Sequence, residues 1–289
     1  MTGGIFGKKA ADVLLGATPF HTGYELTIAG NILLGSVQNI SETRITYDCK
    51  CTLYNEDLKK IVLKIRGHEL VQSVNDAFTE MFEVTRKTMQ MMQRVEVLID
   101  DTCTIVKVLN AGDIIDAWKR LKSEKIYFQQ VPITLGEIVS IDEEQLENPE
   151  TLIEMVAQME FFDLLKSIGY GYALPKSIGV KKPTMLRKGE VVYEQSMRLS
   201  SKQSAPSTTA IYTEGVSHGV SAGKLKEWYG GFPFYDEKQA QQQFGYTCQS
   251  SLLKGTNMPF ECTLRHQEKV MENLQWNLLY MLKSTSIHA

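Results

Sequence analysis

Residues 44–53 read RITYDCKCTL, and the alternation is unbroken. Ile45, Tyr47, Cys49, Cys51 and Leu53 take every second position; Arg44, Thr46, Asp48, Lys50 and Thr52 take the positions between. A period of two over ten residues is the pattern of a strand with one buried and one solvated face. The polar cluster Asn55–Asp57 then reads as a turn. Ile61, Leu63 and Ile65 alternate with Lys60, Lys64 and Arg66, so the pair predicts an antiparallel hairpin.

Outward from this hairpin, a second one is predicted from Val95, Val97 and Ile99, with Asp100–Asp101 at the turn and Ile105–Leu109 returning. The stretch 71–93 fits helix and strand equally. Ile114, Trp118 and Leu121 make a helical stripe over 113–122, with Asn110 or Asp113 as its N-cap. A further helix should begin at Asn148, because Asn accepts a free backbone N–H and Pro149 has none to lose. Gly169 is its natural stop. Its apolar stripe changes sides around Glu160–Phe162, which predicts contact with two cores, or one helix buried all round.

A second set of strands is expected at 191–199, 210–216, 224–229, 244–252 and 260–265. Val270, Met271, Leu274, Leu278, Met281 and Leu282 then fit a terminal amphipathic helix. The expected fold class is therefore α+β: two modules of mainly antiparallel sheet, each with helices, joined by a central helix. The modules would be residues 1–146 and 170–289, with 147–169 as the bridge. The loops 169–188 and 200–209 are rich in Gly, Pro, Ser and Lys.

The 289 residues carry 31 basic and 34 acidic side chains, a net charge of −3. That balance lacks the basic footprint of nucleic-acid binding. No run approaches the ~20 apolar residues that span a bilayer, and the first twenty residues do not read as a secretory signal. The arm with Lys8, Lys9 and Val13–Leu15 is too short to hold a membrane surface. Five scattered cysteines fit reduced thiols, and a cytoplasmic setting is expected.

Few motifs carry chemistry. Cys49 and Cys51 point to one face of a strand with no second pair, so they read as core rather than zinc ligands, and no metal or cofactor is expected. Gly169–Gly171 is a GxG fragment after a helix, where the dinucleotide fold needs a strand. Asp100–Asp101 and Asp142–Glu144 read as turn and helix-start residues. His218 lies in a Gly/Ser-rich stretch beside Ser217, Ser221 and Glu214, the residue types of nucleophilic chemistry, but no GxSxG elbow surrounds it. Trp228, Tyr229, Phe232, Phe234 and Tyr235 form the densest aromatic cluster, and Trp276 and Tyr280 lie four apart near the end. Such residues are either binding hot spots or ordinary core.

With no catalytic signature in the chain, the first functional expectation is a non-catalytic adaptor with a protein partner docked on these aromatics. The alternatives are a carrier of an apolar small molecule, in which Met89–Met92 would line an adaptable cavity, and an enzyme with a non-local site at His218.

Overall fold

The computed structural model describes residues 19–128, 131–134, 143–168, 174–186, 188–200, 207–254 and 258–288. The amino-terminal arm, Asp142, Gly169–Gly171, Arg187 and the loop at 201–206 lie outside the described residues.

Among the described residues, eleven strands form one open antiparallel sheet in the order β5-β4-β3-β2-β1-β13-β12-β11-β10-β9-β8. The first five are β1 (Phe20–Leu34), β2 (Val37–Leu53), β3 (Lys59–Ser73), β4 (Arg94–Ile99) and β5 (Ile105–Val108). The other six are β8 (Lys176–Pro183), β9 (Glu190–Leu199), β10 (Thr208–Ser217), β11 (Gln243–Leu253), β12 (Pro259–Met271) and β13 (Leu274–His288). Each group is a meander of sequential neighbours. They share a seam at which β1 pairs with β13 from His21↔His288 to Leu34↔Leu274. A separate hairpin is made by β6 (Lys125–Phe128) and β7 (Val131–Thr134). The alternating stretch at 44–53 lies in β2, paired with β3 through Cys49↔Leu63 and Cys51↔Ile61. Between β1 and β2 the chain reverses through Gly35 at φ 64, where a Cβ would also strike the Phe234 ring.

The expected two-module architecture is overturned by the continuity of this sheet. The terminal segment is a strand, β13, and not a helix. Its inward residues Leu274, Trp276, Leu278, Tyr280 and Leu282 follow a period of two, but Leu279 and Met281 on the other face are apolar as well. That mixture fits a helical spacing by accident. The expected bridging helix is two helices, α4 (Pro149–Ala157) and α5 (Glu160–Ile168). The break at Gln158–Met159 is why the apolar stripe changes sides: it belongs to two helices with different headings. Asn148 does cap α4, its side chain accepting from Glu150 N and Thr151 N. The segment at 224–229, expected as strand, is helix α6 (Ala222–Tyr229), started by Ser221 Oγ.

Helices α1 (Asp76–Thr88), α2 (Ala111–Lys122), α3 (Glu143–Glu147), α4 and α5 accompany the sheet among the described residues. Helix α4 packs on β5, and α5 packs on β10, β11 and β12. Phe161 and Ile168 of α5 are seven residues apart, about 10 Å along a helix. Phe161 lies 5.4 Å from the Tyr24 ring and 5.5 Å from the Tyr47 ring, while the Ile168 carbonyl accepts from Thr213 Oγ1 at 3.1 Å. Tyr47 on β2 and Thr213 on β10 are five strand positions apart, about 24 Å in a flat sheet. The sheet therefore curls around α5, and its inner face is concave. The core is this face with the helices set into it: Leu26, Ile45, Ile61 and Val97 from strands; Trp118, Val156, Phe162 and Leu165 from helices. Among the described residues no helix is long and apolar enough to cross a membrane.

Candidate functional site

Inward alternation on β12 places Cys262, Leu264, His266 and Glu268 on the concave face, and the same rule on β9 places Val191, Tyr193, Gln195 and Met197 there. The polar members of both strands are buried, so they need partners. Tyr193 Oη meets His266 Nε2 at 3.3 Å, and Tyr246 of β11 donates to Gln195 Oε1. Glu268, 0% exposed, accepts from Tyr229 Oη of α6 through one oxygen. Its other oxygen accepts from Met185 N at 2.9 Å. From the edge strand β8, Lys182 donates to Asp163 Oδ1 at 2.6 Å and Ser167 Oγ at 2.8 Å, both on α5, and its ammonium sits 5.1 Å from the Tyr246 ring centroid.

Burial and charge set the protonation of this cluster. Burial pushes the Glu268 carboxyl up, although Tyr229 and Met185 N pull the other way. Burial, aided by the Lys182 ammonium, pushes His266 down to about 4, so it is a neutral imidazole at pH 7. For Asp163 burial works upward, but the Lys182 charge and hydrogen bond overcome it and hold the carboxylate ionised. Burial raises Tyr193, Tyr229 and Tyr246 above the ordinary phenol range.

Three members of this cluster, Asp163, Lys182 and His266, form the floor of a cleft of about 460 Å³ between α4, α5 and the curled half of the sheet. Ala157, Met185, Leu278 and Tyr280 supply its apolar wall. Its basic side chains are Lys166, Lys181 and Lys182; its acidic ones are Glu154, Glu160, Asp163 and Glu190. Strand β13 at the seam and edge strand β8 both contribute, which only a curled sheet allows.

The residues singled out in the sequence are placed elsewhere, with the exception of Tyr229 and Tyr280. His218 is 78% exposed and meets Glu194 Oε2 at 3.0 Å, not Glu214. Ser221 Oγ accepts from Lys224 N as a helix cap, and Ser217 Oγ accepts from Gly219 N. Trp228, Tyr229 and Trp276 are buried as one aromatic group, with Tyr229 6.4 Å from Trp228 and 6.1 Å from Trp276. Phe232 and Phe234 stack at 5.4 Å, and with Tyr235 they are half-buried against the core. Met91 and Met92 are core, away from the cleft. Cys49 and Cys51 are buried free thiols, and no metal-holding group of His, Cys, Asp or Glu occurs among the described residues. Asp100 closes its turn by accepting from Thr102 N at 2.8 Å and Thr104 N at 2.9 Å, and Asp101 pairs with Lys59.

His266 and Glu268 did leave a signal. They continue the inward register that Cys262 and Leu264 establish, and a strand that keeps its period while its residues turn from apolar to ionisable marks a polar site inside a core. Lys182 left no such signal, since its neighbour Lys181 and the flanking prolines read as a connector.

No family model and no curated protein matches the chain. Among solved structures, one of lipovitellin, titled for its lipid–protein interactions, is similar over 94% of this chain at 7% identity with a TM-score of 0.48. The chain spans 25% of the length of that lipovitellin chain. A domain of a putative outer membrane lipoprotein-sorting protein from Vibrio parahaemolyticus is similar over 94% of this chain and 86% of its own, at 9% identity and a TM-score of 0.22.

Proposed function

We propose that the protein is a carrier of an amphipathic small molecule of the lipid class, held in the cleft between α4, α5 and the concave sheet. The observation that carries this reading is the cleft itself. Its volume of about 460 Å³ lies within the ~300–1,000 Å³ of small-molecule sites. Its wall of Leu278, Tyr280, Met185 and Ala157 suits an apolar body, and the hydrogen-bonding floor suits a polar end. The adaptor reading has less to stand on, because Trp228, Tyr229 and Trp276 are buried and cannot reach a partner from the folded state.

The test is native mass spectrometry of the purified protein after incubation with a mixed lipid extract, alongside Ala157→Trp, which fills the cleft from α4. A bound mass in the parent that is lost in a folded Ala157→Trp variant is the expected result. A bare parent mass, or equal loading of both proteins, removes the proposal.

A further inference from the structure

We infer that the ligand's polar end is uncharged, an ester, hydroxyl or amide rather than a free carboxylate; this rests on the carrier reading of the same cleft. A buried carboxylate needs an ammonium or guanidinium with donors to give, since an unpaired ion in such a site is strongly disfavoured. Among the described residues Lys182 is the one cation at the floor, and two of its three donors are engaged by Asp163 and Ser167 while its charge faces the Tyr246 ring. Lys166 and Lys181 sit at the rim with Glu154, Glu160 and Glu190, and Lys181 Nζ lies 3.9 Å from Glu190 Oε2. Among the described residues the lining thus holds four carboxylates against three ammoniums, and their field opposes an entering anion.

What the floor does offer is neutral. His266 lines the cleft, its Nε2 is taken by Tyr193, and Nδ1 has no partner among the described residues. Neutral imidazole presents one nitrogen as donor or acceptor, the match for a hydroxyl or an ester carbonyl. An ammonium head group fits less well, because Asp163, the carboxylate at the floor, is already paired with Lys182.

The experiment titrates the full chain at pH 7.5 with two fluorescent probes of one chain length, nitrobenzoxadiazole-labelled dodecanoic acid and its methyl ester. The ester should bind at least about tenfold more tightly, equivalent to roughly 1.4 kcal/mol. Because the ester is also the more apolar probe, the decisive comparison is with variants. Asp163→Asn releases Lys182 from its carboxylate and should narrow the ester-to-acid ratio several-fold. Glu154→Gln, a change on the solvated face of α4 that leaves the core untouched, should narrow it less and serves if Asp163→Asn does not fold. Acid binding as tight as ester binding, or a ratio that both folded variants leave unchanged, overturns the inference while leaving the carrier reading intact. If neither probe binds, the carrier reading falls first and the inference with it.

Discussion

Glu268→Gln probes the buried polar network on β12, two residues beyond the cleft-lining His266. The parent carboxylate accepts from Tyr229 Oη with one oxygen and from Met185 N with the other. Glutamine keeps an acceptor for only one of them and turns an NH₂ toward the second donor. Leaving one buried donor unpaired costs about 1–3 kcal/mol. The pH dependence is the sharper part. The folded-state pKa of Glu268 is raised above its ordinary value of 4.5. Over the window from 4.5 up to that raised value, the native state holds a proton that the unfolded state has released. Stability therefore falls as pH rises through this window, by at most ~1.4 kcal/mol per pH unit. The glutamine variant lacks this slope. Urea unfolding of both proteins from pH 4 to pH 8 should show the parent's advantage largest in acid, shrinking above pH 4.5 and then levelling. A stability difference that is flat across the range, or that grows with pH, would falsify the reading of Glu268 as a buried carboxyl held against its desolvation.

Three other outcomes are expected. Gly215→Ala should destabilise by about 1–3 kcal/mol, because an added Cβ would stand 2.1 Å from the Tyr246 ring laid across that glycine; an unchanged urea midpoint would show that the ring is free to move. Lys182→Met should cost about 2 kcal/mol, between the values for buried and exposed pairs because the Asp163 side chain is 41% exposed. Adding Asp163→Asn should recover part of that loss, and strict additivity would mean that the two groups do not interact. All five cysteines are buried, and burial pushes the Cys51 thiol up to about 11, so a thiol reagent at pH 8 should label the native protein only at the rate of its opening; prompt labelling of any one would expose a local fluctuation.

The sequence was most readable where one face of a strand is wet. Residues 44–53 alternate because Asp48 and Lys50 meet solvent while Cys49 and Cys51 meet the core. It was least readable at the seam. Strand β13 has neighbours on both sides and apolar residues on both faces from Leu278 to Leu282, so the period-two signal vanishes and a helical spacing survives by coincidence. Helix α6 was hidden because Leu225, Trp228 and Tyr229 have strand-like composition, while the Ser221 cap that starts it was read as a candidate nucleophile. The cleft was out of reach for another reason. Asp163, Lys182 and His266 lie 19 to 103 residues apart in sequence, and only the curl of the sheet brings their side chains to one place. The two halves looked like separate modules because each is a locally zipped meander, and pairing between β1 and β13 leaves no mark in either.

That seam also sets an order of assembly. Strands β1 to β5 can zip by successive hairpins, and so can β8 to β12, each using contacts close in sequence. β1 joins its last neighbour only across some 250 residues of chain, and long-range pairings of this kind form slowly. During synthesis β13 emerges after the other ten strands described in this sheet. Until then β1 and β12 are raw edges in the middle of what will be one sheet, open to pairing with another nascent chain. The last strand acts as a keystone, and an interruption before it would leave a half-built sheet prone to aggregate while its separate meanders are already formed.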